Sequence, residues 1–185
     1  MTDKKQIHTS KYLSLILRHK PETIGLTLDK NGWAQIDELL EKIGMHGHPL
    51  TLEELRLIVD NNDKKRFVFS FDMTKIRANQ GHSIHVDLEL KEKIPPAILF
   101  HGTADKNISS IQEKGLLKGQ RHHVHLSADK ETAFKVGQRY GKPIILIIYA
   151  GKMNAQGFSF YQSENNVWLT EHVAPHFIEF PISPD

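Results

Sequence analysis

Cysteine is absent from the 185 residues, which excludes a disulfide framework and any thiolate metal site. Long apolar runs are missing too, so no segment approaches a membrane span. Met1 to Ser10 is polar and lacks the apolar region of a signal peptide. With neither disulfides nor a leader, a cytoplasmic location is expected. Charge of one sign is scarce as well: 24 Lys+Arg stand against 22 Asp+Glu, a formal net charge of +2. Residues 1–93 carry 15 basic and 14 acidic side chains, and residues 94–185 carry 9 and 8. No face of the chain is broadly positive, and a nucleic-acid site has to be local. No G-x-x-x-x-G-K-[ST] or G-x-G-x-x-G fingerprint occurs, so a nucleotide would be bound by another geometry.

What is present divides into two halves. In the first, Ser10 reads as the N-cap of a helix carrying Tyr12, Leu13, Leu15, Ile16 and Leu17, ending before Pro21. Arg18 and His19 fall in its last turn, where the helix dipole by itself favours cations. Asn31-Gly-Trp33 reads as a turn. Ile36, Leu39, Leu40 and Ile43 form one helical face ended by Gly44. Thr51 and Glu54 make a capping box for a third helix bearing Leu52, Leu55, Ile58 and Val59 and ending near Asn61-Asn62-Asp63. Lys64-Lys65-Arg66 is either a local phosphate site or a solvated turn. Phe67, Phe69 and Phe71 then alternate as a strand, Asp72 to Lys75 turns, and Ile76-Arg-Ala78 returns. Three helices and a hairpin are the order of a winged-helix module, a fold that does not by itself give function. The stretch from Asp87 to Pro96 reads as a linker, placing a boundary between residues 93 and 94.

The second half reads as β-rich: strands at Ala97 to Phe100, Val124 to Leu126, Ile144 to Tyr149 (a central strand), Val167 to Leu169 and Phe177 to Phe180. Helices are expected at Asn107 to Lys114, closed by Gly115, and at Ala128 to Tyr140, closed by Gly141. The strand ends at His101-Gly-Thr103 and His125-Leu-Ser127 are the natural place for chemistry. Gly102, Thr103 and Ser127 are small enough for a ligand to approach the backbone, and the histidines supply ring faces and donors. His123 and His125 on one strand face, with His122 opposite, are too few to close a zinc site without a cysteine or a Glu-x-x-His partner, and no metal is expected. Arg121, His122 and His123 read equally well as a solvated loop.

Seven segments taken in series, Leu17-Arg-His-Lys-Pro21, Asp63-Lys-Lys-Arg-Phe67, Arg77-Ala-Asn-Gln-Gly-His-Ser83, Leu99-Phe-His-Gly-Thr103, His123-Val-His-Leu-Ser127, Val136-Gly-Gln-Arg139 and Asn166-Val-Trp-Leu169, resemble the bacterial (KptA-type) branch of the RNA 2′-phosphotransferase family. The resemblance runs from about residue 10 to residue 180. It implies an α+β chain with an N-terminal winged-helix lobe (1–93), a C-terminal ADP-ribosyltransferase-like β-rich lobe (94–185), and an active site in the cleft between them.

The implied enzyme removes an internal RNA 2′-phosphate and consumes NAD as co-substrate. The 2′-phosphate displaces nicotinamide from ribose C1″. The 2″-hydroxyl then attacks phosphorus and releases 2′-hydroxyl RNA and ADP-ribose 1″,2″-cyclic phosphate. The resemblance places catalysis on Arg18, His19, Arg66 and Arg139. It places NAD contacts on His101, Gly102, Thr103, His125, Leu126, Ser127 and Val167, and RNA-facing or supporting roles on Arg77, Gln80, His82 and Ser83. Implied partners are tRNA-like RNA and NAD, with no membrane and a monomeric chain.

Guanidinium suits the task, because its planar fork stays charged and matches phosphate oxygens bidentately. His19 could donate a hydrogen bond or a proton. The alternative is an NAD-dependent ADP-ribosyltransferase acting on protein or on nucleic-acid terminal phosphates. Val167 stands where many protein-modifying relatives carry a glutamate, and this weighs against protein modification.

Overall fold

The computed structural model describes residues 3–62 and 65–181. Met1, Thr2, Asp63, Lys64 and 182–185 lie outside the described residues, and with them part of the Lys64-Lys65-Arg66 triplet and of the Asp63-to-Phe67 segment. The chain divides into two compact units, Met1–Glu89 and Leu90–Asp185. The expected boundary at 93/94 therefore moves four residues towards the N-terminus. The reason is pairing within the second unit: the Lys93 N–H donates to Phe160 O at 2.8 Å, Glu92 bridges Tyr161, and Ser159 Oγ donates to Glu92 at 2.7 Å.

The first unit runs α1 (Asp3–Arg18), β1 (Ala34–Gln35), α2 (Ile36–Met45), α3 (Leu52–Asp60), β2 (Phe67–Phe69) and β3 (Lys75–Ala78). Its three strands pair antiparallel in the order β1-β3-β2. β1 is too short to show an alternating pattern and was not expected. α1 begins at Asp3, so Ser10 is not its N-cap. Ser10 sits mid-helix and buried, with its hydroxyl accepting from Asn62 Nδ2 at 3.4 Å. The extra turns are tied to α3 by Lys5–Glu54 at 2.9 Å and by Gln6 Nε2 to Leu57 O.

α1 stops where Pro21 requires it. α2 runs past Gly44 to Met45. The capping box of α3 is present, with the Glu54 N–H donating to Thr51 Oγ1 and the Thr51 N–H to Glu54. Leu13, Ile16 and Leu17 of α1 meet Ile36, Leu39, Ile43, Leu55, Ile58, Phe67 and Ile76 in one core. Phe71 falls outside β2, in the hairpin turn, and is fully exposed. There Asp72 accepts from Ser70 Oγ and from the N–H and hydroxyl of Thr74.

The second unit contains β4 (Leu99–Ala104), α4 (Ile108–Lys114), β5 (Leu116–Leu117), β6 (Val124–Leu126), α5 (Lys130–Gly137), β7 (Pro143–Ile148), α6 (Ala150–Ala155), β8 (Tyr161–Gln162), β9 (Trp168–Thr170), β10 (His172–Val173) and β11 (Ile178–Glu179). They build three small antiparallel sheets, β11-β7-β4, β6-β9-β8 and β10-β5. β7 is central as its apolar run requires. α5 ends at Gly137 rather than continuing to Tyr140. α6 and the two-residue strands carry too few residues for a periodic signal. His122 and His123 lie outside β6, so the expected shared strand face of His123 and His125 is not formed. The chain is of the α+β class. No helix among the described residues is long and apolar enough to cross a membrane.

Candidate active site

The last turn of α1 and the stretch between α3 and β2 bring three of the expected catalytic residues to one groove. Arg18, His19 and Arg66 line it, together with Ser10, Asn61, Asn62 and the exposed side of α1 up to Gln6, around about 950 Å³. Among the described residues that line it there is no carboxylate, while Lys11, Arg18 and Arg66 are cationic. Such a lining favours an anion.

Each group is aimed by hydrogen bonds. The Arg18 guanidinium lies 6.0 Å from the Phe67 ring centroid and donates from Nη2 to Arg66 O at 3.4 Å. Arg66 Nη1 donates to Asn62 Oδ1 at 3.1 Å, and the same amide holds Ser10 of α1. Asn79 pins the intervening backbone, its N–H donating to Arg66 O and its Nδ2 to Lys65 O at 2.6 Å. Lys65 is held there at φ +39, a left-handed conformation uncommon for non-glycine residues. Asn62 and Asn79 are buried and were missed in the sequence. Asn62 read only as a helix end, and nothing local reveals which amide points inward.

His19 Nδ1 lies 2.9 Å from Ser83 Oγ, and the Ser83 N–H donates to Arg18 O. A hydroxyl can donate or accept, so this bond orients the ring under either tautomer. Ser83 thus joins the arginine–histidine group. Gln80 is half-buried nearby in sequence. Arg77 instead stacks 4.5 Å over Trp33 and donates towards Asn31 O. His82 is 1 % exposed, with its ring against Gly32. Its imidazole belongs to the interior, which leaves it a supporting role.

In the second unit, His101 lies within β4 and His125 within β6 rather than at strand ends as expected, because both strands stay paired past them, to β7 and β9. The two residues come together there. The partner of His101 Nδ1 is the His125 carbonyl at 3.0 Å. A carbonyl only accepts, so Nδ1 carries the proton and neutral His101 offers Nε2 as an acceptor. Burial is the main cause that pushes its imidazole below the ordinary value; the bond to His125 opposes this, and the Arg121 charge adds to it. Arg121 Nη1 is 3.3 Å from His125 Nδ1, so Arg121 is drawn into this group. His123 packs against Tyr161 with ring centroids 5.5 Å apart and planes tilted by 57°.

Ser127 exchanges both backbone hydrogen bonds with Phe100, each 2.8 Å. Thr103 is buried and accepts from Asn107 Nδ2 at 3.1 Å. The side chain of Leu126 is core, leaving only its backbone for a ligand. Val167 closes a turn, with its N–H on Ser163 Oγ at 3.2 Å. Gly102 is small for a reason other than the expected one. A Cβ there would sit 1.7 Å from Ala133 O of α5, so the missing side chain admits a helix. Arg139 is exposed just beyond α5, its N–H on Val136 O at 3.3 Å. Among the described residues no group of three or more His, Cys, Asp or Glu could hold a metal.

Residues 4–172 match the model of the family described as RNA 2'-phosphotransferase, Tpt1 / KptA family. A relative from Flavobacterium johnsoniae is 58% identical over 171 residues, covering 92% of this chain and 94% of its own length. One from Pseudomonas fluorescens is 56% identical over 172 residues, 92% and 94% of the two chains. One from Rhodopirellula baltica is 53% identical over 180 residues, 97% and 98% of the two chains. Each bears the name "Probable RNA 2'-phosphotransferase". A cationic groove built by Arg18, His19 and Arg66 and a match over nearly the whole chain lead to one conclusion: this chain belongs to the RNA 2′-phosphotransferase family, and is a transferase of that family.

Proposed function

We propose that the protein removes an internal 2′-phosphate from RNA with NAD as the acceptor of the phosphate, giving 2′-hydroxyl RNA, nicotinamide and ADP-ribose 1″,2″-cyclic phosphate. The observation that carries this reading is the groove of Arg18, His19 and Arg66, with no carboxylate among its described lining residues. NAD supplies an electrophilic ribose carbon with a leaving group. His101, whose neutral ring offers an acceptor to a ribose hydroxyl, and the backbone near Ser127 suit a dinucleotide, and the resemblance assigns both to that role.

In this reading Arg18 and Arg66 bind the 2′-phosphate oxygens and oppose the charge that builds up as phosphorus is attacked. Asn62 and the Lys65–Arg66 backbone hold the second guanidinium ready. His19, steadied by Ser83, donates to a phosphate oxygen or to the departing RNA 2′-oxygen. Arg139 is assigned to the same reaction by the resemblance alone. The element order α1-β1-α2-α3-β2-β3 and the three-stranded antiparallel sheet support a winged-helix reading of the first unit. An ADP-ribosyltransferase-like reading of the second rests on the resemblance.

The test is incubation with 2′-phosphorylated RNA and NAD. Nicotinamide and the cyclic phosphate are expected in equal amounts. Folded protein that releases neither would end this reading. Stable transfer of labelled ADP-ribose to a protein or to a terminal phosphate would replace it with ADP-ribosyl transfer.

A further inference from the structure

We propose that the groove continues along α1 as a track for the RNA strand flanking the phosphorylated nucleotide, with Lys11 holding a backbone phosphate and Ile7 and Leu15 packing against ribose or base faces. The proposal rests on the RNA reading above and extends it to the part of the groove that the reacting phosphate does not need. Arg18 and Arg66 occupy one end. From Arg18 the lining runs through Leu15, Ser14 and Lys11 to Ile7, positions three to four apart and so on one helical face. The eleven helical rises from Ile7 to Arg18 span about 16 Å, well beyond one phosphate group. At about 950 Å³ the groove lies near the top of the roughly 300–1,000 Å³ range of small-ligand sites.

The chemistry of this extension alternates. Ile7 is 58% and Leu15 39% exposed, and Lys11 lies between them as the only charged side chain there among the described residues. Apolar surface interrupted by a single cation suits a strand whose sugars and bases are apolar-faced and whose linkages are anionic. An acidic peptide would want more cations and fewer aliphatic faces. The opposite wall is Ile58 and Asn61, and the Lys5–Glu54 pair keeps α1 against α3. These first turns of α1 exist because the helix starts at Asp3 rather than at Ser10.

Two measurements decide it, both on the full chain. The first is binding of a labelled single-stranded RNA lacking any 2′-phosphate, titrated with salt. Lys11→Ala is expected to flatten the slope of log K against log salt by about 0.7, the value for one phosphate contact on a single strand. Lys11→Arg restores the slope. Ile7→Ala weakens binding without changing it.

The second is turnover of a long 2′-phosphorylated RNA against a minimal dinucleotide. Lys11→Ala is expected to raise KM several-fold for the long RNA and to raise it clearly less for the minimal dinucleotide. An unchanged salt slope and unchanged KM for long RNA in Lys11→Ala would overturn the track. A rise confined to the KM for NAD would assign the groove to NAD and overturn it too. If wild-type protein turns over neither RNA, the reaction reading fails, and the salt slope alone then decides whether the track stands.

Discussion

Arg66 reaches the groove from a backbone stretch that Asn79 and Arg18 bind, while its guanidinium donates to Asn62 Oδ1. Replacing Arg18 or Arg66 by alanine is expected to lower kcat by about 10²–10³, by analogy with loss of one oxyanion donor. Lysine restores little at either position, because an ammonium lacks the planar fork. Asn62→Ala is expected to lose a smaller part of the rate, and Asn62→Asp, which keeps an acceptor for Nη1, to recover some of it. Single-turnover rates check both.

His101 gives a pH dependence. Its folded-state pKa lies below the ordinary 6.5, mainly through burial, and that of His123 is lowered for the same first cause. As pH falls below 6.5 the unfolded chain takes up protons that the folded one refuses, so stability falls. Carboxylates with lowered pKa, such as Glu54 and Asp29, lose their contribution only below their ordinary 4.5 and 3.8. Melting temperature should therefore decline already between neutrality and about pH 5, and His101→Gln should flatten that decline. An unchanged profile in the variant would refute the assignment.

At the scale of elements, α5 lies against β4 through two glycines. Gly102 faces Ala133 O, and a Cβ on Gly137 would lie 2.8 Å from Thr103 O. Gly102→Ala should destabilise by at least the upper end of the roughly 1–3 kcal/mol range for overpacking, since backbone cannot yield as a side-chain tip would. Thermal denaturation measures it. In the sequence Gly102 suggested close approach of a ligand. Only the packed helix shows what approaches. The capping box of α3 was legible from Thr51 and Glu54 alone, because a cap is a contact across three residues. The start of α1 was not, because what stabilises its first turns is Lys5 meeting Glu54, 49 residues away.

For the whole molecule, near-neutral charge limits how strongly salt can act. Two phosphate groups in the groove, the 2′-phosphate on Arg18 and Arg66 and one linkage on Lys11, predict a log–log salt slope of about 1.4 for a 2′-phosphorylated single strand. A much steeper slope would reveal a wider basic face than the composition allows. The family was also legible at this scale, since seven short segments kept their order along the chain, and the match over residues 4–172 shows that family.

The sequence by itself determined the elements that local periodicity and capping specify: α2, α3, the hairpin of β2 and β3, and the central strand β7. It also singled out the arginines and histidines fit for phosphate. The tertiary structure alone decided which of them meet. Arg18 and Arg66 are 48 residues apart, and Asn62, Asn79 and Ser83 join them only because the core of the first unit folds α1 against α3 and β3. Burial and distance between remote residues arise from packing, and no local pattern encodes them.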